Sequence, residues 1–103
     1  MAEGQLKIVE GTALSAQQKK DLLNRLARIE GQLRGVQKLI ALAAQPSDVD
    51  AVAQQMAAAR KALDRSFVQL LAGAIQTHAG NAADLDEARA SAAQLAAMLD
   101  RFA

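Results

Sequence analysis

"RLARIEGQLRGVQKLI", running from Arg25 to Ile40, decides the fold. Its apolar residues, extended one step back to Leu22, are Leu22, Leu26, Ile29, Leu33, Val36 and Ile40, with steps of 4, 3, 4, 3 and 4. That spacing is a coiled-coil-like seam on an α-helix. Arg25, Arg28, Arg34 and Lys38 flank the seam. The helix keeps Gly31 and Gly35 beside the unbroken seam, although each glycine costs about 1 kcal/mol against alanine inside a helix. Keeping two predicts that backbone approaches a crossing helix closely there.

Outward from this stretch, Ser15 with Gln18 three residues on has the form of a capping box and starts the first helix. Residues 1–14 show no strong periodicity and read as a flexible arm; residues 15–103 read as one helical domain. Gln45-Pro46 ends the first helix near Ala44. Ser47-Asp48-Val49-Asp50 then reads as an N-cap followed by first-turn acids. The second helix carries Val52, Met56, Ala59, Leu63, Phe67 (or Ser66), Leu70 and Ala74, and stops at Gly80-Asn81, a C-cap glycine with a possible new N-cap after it. Leu85, Ala88, Ala92, Leu95, Leu99 and Phe102 form the seam of a third helix. The expected fold is all-α: two long antiparallel helices and a shorter C-terminal one. Such a thin hairpin leaves apolar stripes unpaired, so two copies are expected to join as a dimeric four-helix bundle.

Composition narrows the function. The chain has 103 residues, two Phe, no Trp, Tyr or Cys, and one His. No disulfide, thiolate nucleophile or thiolate metal site is possible. His78 is the single imidazole, and no hydroxyl has a base beside it in sequence, so an enzyme is not expected. One His per chain also falls short of a transition-metal site, and no metal or cofactor is expected. The N-terminus lacks the apolar core of a secretory signal, and no apolar run approaches a membrane span; the default location is the cytoplasm.

The net charge of +1 hides an asymmetry. Lys19, Lys20, Arg25, Arg28, Arg34 and Lys38 face only Asp21 and Glu30 between residues 19 and 38, whereas acids outnumber bases after Gly80. Segregated basic charge marks either an anionic partner or a solvated helix face. Arg25 and Arg28 share one helical edge with Gln32 a turn further on, and Lys61 and Arg65 stand on the second helix. Arginines so placed clamp phosphates, and glutamine reaches phosphates or base edges.

"NRLARIEGQLRGVQKLI" (Asn24 to Ile40) resembles the first-helix signature of the CsoR/RcnR/FrmR family of bacterial repressors, and "VAQQMAAARKALDR" (Val52 to Arg65) resembles that family's second-helix core. The resemblance spans roughly residues 22–99. It implies a helical dimer that assembles further into a tetramer, binds double-stranded operator DNA without a helix-turn-helix, and releases it when an effector binds. The family's DNA-contacting basic positions fall on Arg25, Arg28 and Arg65. Its sensor positions, by contrast, fall on Val49 where a Cys is usual, on Ala74 where a His is usual, and on His78, with a coupling carboxylate position on Gln94.

One sensor ligand therefore survives, and the family's thiol chemistry is excluded. The expected protein is a cytoplasmic DNA-binding repressor, a homodimer or homotetramer. Its old sensor pocket (Val49, Ala74, His78, Gln94) takes a non-metal small molecule or nothing. Two alternatives stand beside it: a helical interaction module without DNA binding, and a repressor with an atypical His/carboxylate metal site.

Overall fold

A computed structural model describes residues 6–102 of the chain; the first five residues of the expected arm and residue 103 lie outside the described residues. The structure is three helices: α1 (Ala16–Leu42), α2 (Pro46–Asn81) and α3 (Leu85–Phe102). No strand occurs among the described residues. The all-α expectation and the helix order hold.

The capping box at the start of α1 forms as expected. The Gln18 N–H donates to Ser15 Oγ at 3.0 Å, and the Ser15 N–H donates to Gln18 Oε1 at 2.7 Å. Gln18 Oε1 also accepts from Thr77 Oγ1 at 2.8 Å, which ties the first turn of α1 to the last turns of α2. The two long helices therefore run antiparallel, joined by the short turn at 43–45.

The caps of α2 and α3 differ from expectation. Gln45, not Ser47, caps α2, and Pro46 takes the first helical position, where its missing N–H costs nothing. The Asp48 carboxylate accepts from the backbone N–H groups of Ala44 and Gln45, both at 3.0 Å, and these bonds hold its pKa below the ordinary carboxylate value. At the other end, Gly80 stays inside α2 and has no left-handed backbone. Asn81 Nδ2 donates back to the Thr77 carbonyl instead of capping a new helix. Asp84 starts α3, its Oδ1 accepting from the Glu87 N–H at 2.8 Å.

The apolar seams divide between two faces. In α1, Ile29 and Val36 are buried against α2, but Leu33 and Ile40 remain 50% and 55% exposed. In α2, Ala59, Ser66, Leu71 and Gly73 are the buried residues. Meanwhile Val49, Met56, Leu63 and Leu70, seven residues apart, form an exposed column. Three of the four buried α2 residues are small. Gly73 illustrates why: a Cβ there would sit 3.3 Å from Leu14 Cδ2 and 3.4 Å from Gln18 Cδ.

Gly31 and Gly35 are a correction. A Cβ at Gly31 meets nothing within 4 Å, and one at Gly35 meets only Gln55 Nε2 at 3.9 Å. Among the described residues no backbone of another element comes within 4 Å of a Cβ at either position.

α3 folds back along the second half of α2. The Phe67 and Phe102 rings meet edge to face at 5.9 Å and 80°. The described chain measures 61 × 34 × 14 Å, with a radius of gyration of 18.3 Å. A compact domain of this length would have about 13 Å. A 14 Å thickness is barely one helix diameter, so the molecule is a single layer and encloses no thick core.

Candidate nucleic-acid interface

Antiparallel pairing brings the middle of α1 against the middle of α2. There Arg25, Arg28 and Gln32 of α1 and Arg65 of α2 line one open cavity of about 290 Å³, floored by Ile29 and Ala62. The helical offset explains the convergence: residues 25, 28 and 32 repeat at 3 and 4 along one edge, and Arg65 meets that edge from across the hairpin. Four of the five residues expected to touch DNA are therefore neighbours. Lys61 is exposed one turn before Arg65 and is outside the lining. Ile29 and Ala62, which look in sequence like plain seam residues, set the floor.

Three guanidiniums around one small opening repel one another, and no side-chain hydrogen bond among the described residues occupies them. Gln32 Oε1 is buried without a donor. The arginine forks match the paired oxygens of a phosphate, and the charge they concentrate favours an anion over a neutral ligand. The amide NH₂ of Gln32 adds a further donor at the same opening.

The expected effector residues are not brought together within one chain. Val49 lies in the first turn of α2 and is 61% exposed. Ala74 and His78 are half-buried near its other end, about 38 and 44 Å further along at 1.5 Å per residue. Gln94 is exposed on α3. His78 instead lines a polar cavity of about 210 Å³ with Thr12, Asn81, Glu87 and Ser91. Glu87 and Ser91 were not legible as its neighbours, because the sequence presents Glu87 as an ordinary first-turn acid.

That surrounding does not make a transition-metal site. The described residues contain no group of three or more His, Cys, Asp or Glu side chains placed to hold an ion. The chain has no thiol. His78 with the single carboxylate of Glu87 is a donor set too small for zinc, nickel or copper.

A family model described as a metal-sensitive transcriptional repressor matches residues 18–101. No curated protein and no solved structure matches the chain. No helix among the described residues is long and apolar enough to cross a membrane.

Proposed function

Since the chain belongs to the metal-sensitive transcriptional repressor family, whose members are regulators and not enzymes, we propose that it represses transcription by binding double-stranded operator DNA through the arginine cavity. The observation that carries this reading is the convergence of Arg25, Arg28, Gln32 and Arg65 on one opening of the hairpin. Lys61 extends the same basic edge of α2. The arginines position the protein on phosphates, and the sequence preference comes from Gln32 and from the shape of the groove.

The working form is a homo-oligomer in the cytoplasm. A single layer 14 Å thick with columns of Leu33 and Ile40, and of Met56, Leu63 and Leu70, left outside supports a second copy stacked on that face. Two hairpins packed antiparallel make the four-helix bundle and align several arginine cavities along a duplex. They also bring Val49 of one copy toward Ala74 and His78 of the other. The pocket so formed has methyl groups where thiol and imidazole would sit, so it takes a non-metal, non-thiol effector or none.

The test is a set of single variants, Arg25→Ala, Arg28→Ala and Arg65→Ala, in a gel-shift titration with the DNA upstream of the protein's own gene. Each is expected to weaken binding while sedimentation shows an unchanged oligomer. Wild-type affinity in all three would refute the interface. Binding of protein partners but of no duplex would leave a helical interaction module.

A further inference from the structure

The segment before α1 does more than lead into the helix. A groove of about 340 Å³ lies between it and the first turns of α1. Leu6, Ile8 and Val9 rim one side, and Leu22, Leu23 and Leu26 form the other. The remaining charged lining is Lys7 and Lys19, and no acidic side chain lines the groove among the described residues. The Lys19 ammonium donates to the Val9 carbonyl and so holds the segment over the groove. It has three donors, and this bond uses one.

The segment rims the groove without filling it. Leu6 and Val9 remain 63% and 68% exposed although an apolar wall stands opposite. The volume is at the small end of the range for ligand sites. Two apolar walls with two cations in the lining suit a flexible hydrocarbon chain ending in an anion. No aromatic side chain is present to stack a base or a ring.

We infer that this groove binds a single-chain amphiphile with an anionic head, of the medium-chain carboxylate class. The acyl chain lies between the pre-helix segment and α1, and the carboxylate pairs with Lys19 and Lys7. Binding buries Leu6 and Val9 and orders the segment against the helix. Nothing in this assignment depends on the arginine cavity, so it stands or falls separately from DNA binding.

Isothermal titration of the full chain with octanoate and decanoate, each below its micellar concentration, tests it. Saturable binding is expected, about four-fold tighter per added methylene and so about fifteen-fold tighter for decanoate than for octanoate. Lys7→Met, which spares the Lys19 tether, is expected to weaken decanoate at least ten-fold and leave decanol unchanged. Ile8→Asp is expected to abolish both without moving the helical melting transition, because residue 8 lies outside every helix. The assignment is overturned by the absence of saturable decanoate binding, or by binding indifferent to both variants. It is overturned equally if Arg25→Ala with Arg28→Ala removes decanoate binding while Lys7→Met does not. Uptake from anionic vesicles alone, with no binding of the monomeric carboxylate, also contradicts it. So does an Ile8→Asp variant that changes the sedimentation of the protein in place of its ligand binding, which would make the groove a contact between copies.

Discussion

The two faces of the α1–α2 hairpin are built on opposite terms. The inner face sets Ile29 and Val36 of α1 against the small residues Ala59, Ser66 and Gly73 of α2 and tolerates the buried amide oxygens of Gln32 and Gln69. The outer face carries the larger apolar side chains, Leu33, Ile40, Met56 and Leu63, each at least half exposed. A hairpin meant to stand alone would place them the other way round, since a fully buried leucine stabilises by about 1.5–3 kcal/mol. The difference teaches a division of labour: the inner pairing sets the register that gathers the arginines at its rim, and the outer column is left free for the proposed second copy.

The largest expected effect breaks the outer face alone. Leu63→Asp places a charge in the copy-to-copy contact, and analytical sedimentation is expected to show monomer with greatly reduced helicity. An unchanged oligomer would remove the assigned role of that face. Next comes the rim: Arg25→Ala and Arg28→Ala are each expected to weaken DNA binding about ten-fold or more, as a charge-assisted contact is worth about 1.5–3 kcal/mol. The salt dependence should flatten by about one unit of log–log slope per lost phosphate contact. A variant that loses DNA while keeping its oligomer, beside one that loses its oligomer, would separate the two faces cleanly.

Gly31→Ala sharpens the comparison further. Within one chain the added methyl meets nothing, so helix propensity alone predicts a gain of about 1 kcal/mol in thermal or urea unfolding. A loss of oligomer stability instead would assign Gly31 to a close contact between copies. A smaller effect belongs to Asp48. Its carboxylate is held below the ordinary pKa by two backbone N–H groups, chiefly that of Ala44. The stabilisation is therefore present above about pH 4 and fades as pH falls through the lowered value. Thermal melts from pH 6 down to pH 2 should show a slightly smaller acid loss in Asp48→Asn than in the wild type. The smallest expected effect is none: stoichiometric Cu(I), Ni(II), Co(II) or Zn(II) should leave DNA affinity unchanged. Metal-driven release abolished by His78→Ala would restore a metal sensor.

How legible all this was depended on whether the deciding contacts are local. The Ser15–Gln18 box, the stop at Pro46 and the seam through Ile29 and Val36 are written within a few residues of themselves, and the structure reproduces them. The arginine cavity was half visible: Arg25, Arg28 and Gln32 follow from helical spacing, but their meeting with Arg65 needs the register of the hairpin. The cap of α2 was misplaced at Ser47 when Gln45 holds it, because Pro46 favours the first helical position over a place before the cap. The neighbours of His78 depend on how α3 folds back, and no periodicity encodes that. The glycines of α1 pointed to a crossing backbone that the described chain does not bring near them.

The most direct test of the central claim is fluorescence anisotropy of the wild-type protein with the duplex upstream of its own gene, against a scrambled duplex, at two salt concentrations and with chelator present. The account predicts preference for the native duplex, no requirement for metal, and affinity that falls steeply as salt rises. Equal affinity for both duplexes, or no binding at either salt, would contradict it.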